Sequence, residues 1–166
     1  MQKIMIFFLM LLPLSAQFTA LLKRIEHNDR FHFSYKDTAF SCEPAAVISL
    51  TRLYNNKSID KVCKRHIDDF VKEHPFVPYQ AKLLMHEEQK YLIRPLKERC
   101  FIMLNAGTSL SEYLIEEGFA LLPKKPEPDF IGTPLYDQLV LAQKRAKYHK
   151  RGIWQKPGLL NCFAYE

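Results

Sequence analysis

The chain has 166 residues and a formal net charge of +6, with 48% hydrophobic and 25% charged residues, five glycines and ten prolines. This length supports one domain with a real core and indicates no second one, and the absence of any internal repeat or low-complexity tract excludes a solenoid or fibrous architecture. The basic excess favours polyanionic partners, although a merely solvated basic surface has the same signature.

At the start, Lys3 precedes an apolar run from Ile4 to Leu14, and Leu14-Ser15-Ala16 offers a small residue before Gln17. This is the layout of a secretory signal peptide over 1–16, so the protein is read as exported, periplasmic or secreted, with one domain over 17–166. The run is too short for a membrane span, which takes about 20 apolar residues.

Apolar residues are dense from Phe18 to Ile25, and from Arg30 to Phe40 Phe31, Phe33 and Tyr35 alternate with Arg30, His32, Ser34 and Lys36. A period of two predicts a half-buried strand, and Glu26-His27-Asn28-Asp29 is the polar turn that joins it to the first. A third strand is expected over Ala45 to Leu53 from its β-favouring residues. Ser58 is the expected cap of a helix whose apolar stripe runs Ile59, Val62, Cys63, His66, Ile67, Phe70 and Val71. After Pro75 and Pro78 come three expected strands, Ala81 to Met85, Tyr91 to Ile93 and Cys100 to Leu104, the last leaving through Asn105-Ala106-Gly107.

Ser109 and Glu112 have the spacing of a capping box, followed by the stripe Leu110, Leu114 and Ile115, a stop at Gly118 and strand-like chain from Phe119 to Leu122. The proline-rich stretch Pro123 to Pro134 reads as a surface loop. A second helix carries Leu135, Leu139, Ala142 and Ala146 on one face, with Lys144, Arg145, Lys147, Lys150 and Arg151 crowding its end before Gly152. The chain then folds back through Ile153-Trp154 into a tail.

Four cysteines in an exported chain indicate two disulfides among Cys42, Cys63, Cys100 and Cys162. Three connectivities are possible, and the preferred one joins Cys42 to Cys63 and Cys100 to Cys162. No CxxC pair supports zinc, and no Gly-x-Ser-x-Gly elbow or phosphate-cradling glycine loop is present.

Leu110, Leu114, Ile115, Gly118 and Ala120, followed by Leu139, Ala142, Ala146, Lys147, Gly152, Ile153 and Trp154, resemble the carboxy-terminal half of the thermonuclease (staphylococcal nuclease-like) family, with Gln143 where that family usually has glutamate. The resemblance implies an α+β, five-stranded OB-fold barrel with three α-helices, and calcium-dependent hydrolysis of DNA and RNA. The family chemistry uses carboxylates on a hard cation, a glutamate acting on the attacking water and two arginines on the phosphate.

Carried onto this sequence, the cation ligands fall in the first turn at Glu26 and Asp29, where the alternative is an ordinary polar hairpin turn. The family's arginine and Asp-x-Pro-Glu segment has only Cys42-Glu43-Pro44 as a partial counterpart, so Glu43 with Arg52 would form a rearranged site. The remaining arginine role falls near Glu98, leaving Arg99, or alternatively Arg94, to fill it. Lys124, Lys125, Lys144, Arg145, Lys147, Lys150 and Arg151 are the candidate nucleic-acid contacts, and Phe31, Phe33 and Tyr35 are stacking candidates only if they face outward. Three functions follow as expectations: an exported calcium-dependent nuclease, a non-catalytic nucleic-acid-binding module, or a structural or protein-interaction domain. A monomer acting on DNA or RNA is expected.

Overall fold

The computed structural model describes residues 17–165, so the signal peptide expected over 1–16 lies outside the described residues. The chain divides into two units, one ending at Ala45 and resuming over Ala81–Leu110, the other formed by Ala46–Gln80 and Ser111–Glu166.

The first unit is a closed barrel of five strands in the order β1-β2-β3-β6-β5: β1 (Phe18–Glu26), β2 (Arg30–Tyr35), β3 (Thr38–Pro44), β5 (Lys90–Leu96) and β6 (Arg99–Met103). It is the α+β, OB-like architecture that the sequence implies. The period of two sets its inside: Phe33 pairs with Phe40 and Leu22 on its neighbours, Ile93 with Ile102, and all of these are buried. A bulge between Leu22 and Arg24 lets Ile25 return to the interior opposite Phe31. All pairings are antiparallel except β3 with β6, which closes the barrel through Glu43 opposite Arg99 and Pro44 opposite Cys100.

Two expectations for this unit are corrected. The stretch from Arg30 to Phe40 is two strands, because Lys36 and Asp37 take φ of 46° and 63° and close a tight hairpin without the glycine that usually signals one. Ala81 to Met85 is helical, α3 (Gln80–Leu84), its backbone anchored where Asn28 Oδ1 accepts from the Ala81 NH at 2.9 Å. Ala, Lys and Leu are good helix formers, and this buried anchor fixes the preference.

The second unit contains α1 (Leu50–Tyr54), α2 (Lys61–Glu73), α4 (Leu110–Glu116, most of which belongs here), α5 (Pro134–Tyr148), α6 (Pro157–Cys162) and the short ladder β4 (Ile48–Ser49) with β7 (Ala120–Leu121). The three expected helices are α2, α4 and α5. The short α1, α3 and α6 add to them, so the described residues exceed the expected three. The strand expected over Ala45 to Leu53 gives way at Ser49, whose Oγ accepts from the Arg52 NH at 3.1 Å and starts α1. Asp60 rather than Ser58 caps α2, accepting from the Cys63 NH at 2.7 Å. A carboxylate there also complements the positive end of the helix dipole.

Leu139, Ala142 and Ala146 are buried as their spacing requires, and Gln143 Oε1 accepts from the Leu122 NH at 2.9 Å, an interaction that needs only an acceptor oxygen. Gly118 and Gly152 hold φ of 69° and 48°, and a Cβ on either would strike the carbonyl of Arg151 or of Gly118. That close approach lets the Ile153 NH donate to the Gly118 carbonyl at 2.8 Å, which seats Ile153 in the core.

The disulfide pairing is also corrected. Cys42 bonds Cys100 across the β3/β6 seam with Cα atoms 6.0 Å apart, and Cys63 of α2 bonds Cys162 of α6 with Cα atoms 5.4 Å apart. Pairing by nearness in sequence fails because strand order and helix packing, not chain separation, bring the thiols together. Each bond joins residues of one unit. No helix among the described residues is long and apolar enough to cross a membrane.

Candidate functional site

The alternation that buries Phe31, Phe33, Phe40 and Cys42 turns the intervening residues of β2 and β3 outward. On that outer face Glu26, Arg30, His32, Ser41, Glu43 and Arg99 follow one another across four strands. Arg30 reaches Glu43 Oε1 at 3.3 Å, and Glu43 sits opposite Arg99 in the seam. Glu26 Oε1 lies 3.2 Å from the Arg24 guanidinium and 3.1 Å from His32 Nε2. On its other side His32 shares a hydrogen bond with Ser41, Nδ1 to Oγ, at 2.9 Å. The His32 hydrogen bond above all, with the Arg24 and Arg30 charges adding to it, holds the Glu26 carboxyl below the usual carboxylate range in spite of an opposing push from desolvation.

The structure therefore brings together two of the expected catalytic residues, Glu43 and Arg99, as neighbours on adjacent strands. Arg94 belongs to the same outer face: it pairs with Phe101 on β6, two residues along β5 from the Leu96 that pairs with Arg99, and its Nε is buried. Arg52 stands in α1, in the other unit. Asp29 is half-buried in the β1–β2 turn, beside the buried Asn28 that anchors α3. Sequence reasoning missed Arg30, His32 and Ser41, although the same period that marks the buried phenylalanines marks these as their outward neighbours. Phe31 and Phe33 line the barrel interior, and Tyr35 packs on Phe18 with centroids 4.7 Å apart, so the strand aromatics are not an outward stacking surface.

A calcium ion takes about six to eight oxygen ligands. Among the described residues no three His, Cys, Asp or Glu side chains stand together as a metal would need, and the outward carboxylates Glu26 and Glu43 already face cations. The described residues do not fit a calcium cage.

The candidate nucleic-acid contacts in the second unit divide into two groups. Arg145 grips Glu116 with two bonds of 2.9 and 2.8 Å and lies 3.7 Å from Glu112, while Arg151 reaches Glu117 at 2.9 Å. These arginines tie α5 and the chain after it to α4. The Arg145 bond holds the Glu116 carboxyl below the usual carboxylate range and, reciprocally, raises the guanidinium. Lys147 is also engaged, with Nζ 5.8 Å from the centroid of the Trp154 ring. Lys124, Lys125, Lys144 and Lys150 are exposed and have no acidic partner among the described residues.

Comparison with known proteins finds a family match, drawn from parts of both units: residues 79–156 fit the family model described as Staphylococcal nuclease homologue. The matched span runs from the residue before α3 through Arg94, Arg99 and all of α5, and leaves β1, β2 and β3, with Glu26, Arg30, His32 and Glu43, outside it. No curated protein matches the chain.

Proposed function

From the match of residues 79–156 to the staphylococcal nuclease homologues, we propose that the chain is an exported, nucleic-acid-binding member of that family whose barrel face does not assemble calcium-dependent hydrolysis. The observation that carries this reading is the pairing of the outward carboxylates, Glu26 with Arg24 and His32 and Glu43 with Arg30. To ligate a hard cation each acid must give up its cationic neighbours, and the described residues supply no third carboxylate to complete the set.

Nucleic acid as the partner is supported by the family match, by a barrel of the kind whose strands and loops bind oligonucleotides in many proteins, and by the unpaired lysines of the second unit. Export is supported by the leader-like sequence of residues 1–16 and by two disulfide bonds, which persist in oxidising compartments. Binding through lysine releases counterions from the phosphate backbone, so affinity falls linearly as log salt rises. Fluorescence anisotropy with labelled single-stranded DNA, duplex DNA and RNA across a salt series measures this directly. A linear fall supports the reading; no binding at low salt contradicts it and favours a structural or protein-interaction role.

A further inference from the structure

The buried stripe Leu139, Ala142 and Ala146 fixes which side of α5 faces solvent, and the exposed residues Leu141, Lys144 and Tyr148 run along that side at helical spacing. Tyr148 is 83% exposed, the largest exposure of any big apolar side chain among the described residues. It sits in the last turn of α5, where nothing in the packing of the helix requires an aromatic ring. His149 meets it at right angles with centroids 5.0 Å apart, an arrangement that braces the ring and leaves at least one of its faces uncovered.

The charges around Tyr148 are uneven. From Lys144 to Arg151 the chain has five lysines and arginines and no acid. The acids that approach this segment, Glu112, Glu116 and Glu117, are drawn to Arg145 and Arg151. Lys144, one turn before Tyr148, and Lys150, two residues after it, keep their charge uncompensated. An exposed aromatic ring with uncompensated lysines before and after it along the chain matches a base and its flanking phosphates, the pairing by which single strands are held without sequence preference. A duplex offers the phosphates and not the base faces, which are already stacked on one another.

Resting on the nucleic-acid reading above, we propose that the end of α5 is a single-strand binding surface in which Tyr148 stacks on a base while Lys144 and Lys150 take phosphates. Anisotropy titrations of the full chain with a labelled oligothymidylate and with a duplex of the same length test this. The wild-type chain binds the single strand more tightly. Tyr148→Ala weakens that binding by roughly tenfold while Tyr148→Trp preserves it, because stacking needs a ring and not a hydroxyl. Changing both Lys144→Gln and Lys150→Gln flattens the dependence of log affinity on log salt by about 0.7 for each phosphate that is no longer neutralised. Thermal unfolding is unchanged in Tyr148→Ala, since the side chain lies outside the core. If Tyr148→Ala binds as the wild type does, or if duplex binds as tightly as single strand, the proposal fails and the broader reading stands. If the wild-type chain binds no oligonucleotide, both fail.

Discussion

The outer face of the barrel and the end of α5 are both rich in cations and treat them in opposite ways. On the barrel, Arg24 stands against Glu26 and Arg30 against Glu43, so the face sets its arginines against its own carboxylates. On α5, Arg145 and Arg151 are spent on Glu116 and Glu117, and the lysines beside them are left uncompensated. A count of basic residues does not distinguish the two regions. Their partners do, and the partners depend on register and packing.

The strongest way to sharpen the comparison is to unpin each region in turn. Cys63→Ala with Cys162→Ala opens a loop of 99 residues and is expected to cost roughly 4–5 kcal/mol in urea unfolding. Cys42→Ala with Cys100→Ala opens one of 58 and costs about half a kcal/mol less on the same chain-entropy scale. A far larger gap between the two would mean that residual structure in the unfolded chain, and not loop length, governs one of them. Next in size is Gly152→Ala, which combines a left-handed φ with a Cβ facing the Gly118 carbonyl and is expected to cost roughly 2–4 kcal/mol in the same assay.

Smaller effects separate structural cations from binding ones. Glu116→Gln removes a pair whose side chains are 29% and 45% exposed, so solvent screening limits its value to about 0.5–1 kcal/mol. Because the folded Glu116 carboxyl is held below its ordinary value, this stabilisation is full above the usual carboxylate range and is lost as pH falls through the depressed folded value. The difference in melting temperature between wild type and Glu116→Gln should therefore shrink on acidification, whereas a constant difference would assign the effect to packing. Smallest of all, Lys144→Gln should leave stability unchanged and lower only the salt dependence of binding, a split that Arg145→Gln should not reproduce.

Much of the fold is legible in the sequence because burial imposes a period. The phenylalanines of β2 and the Leu139, Ala142, Ala146 stripe of α5 announce which face is inside, and Gly118 and Gly152 mark chain reversals that only glycine tolerates. What is not legible depends on neighbours distant in the chain. The helix α3 rests on Asn28, more than fifty residues earlier, and the hairpin at Lys36-Asp37 lacks the usual glycine. The disulfides follow the β3/β6 seam and the packing of α2 with α6. The candidate site is legible to the same degree: Glu43 and Arg99 are identifiable as chemistry-bearing residues, but Arg30 as the partner of Glu43 emerges only once β2 and β3 are in register.

The most direct test of the account is one incubation of the oxidised protein with single-stranded DNA, duplex DNA and RNA, with calcium and then with chelator, read on a native gel and on a denaturing gel. We predict nucleic acid that is retarded on the native gel and full length on the denaturing gel in both conditions. Fragments that appear with calcium and vanish with chelator would contradict the account, and would mean that the acids of the barrel face leave their arginines to build a metal site.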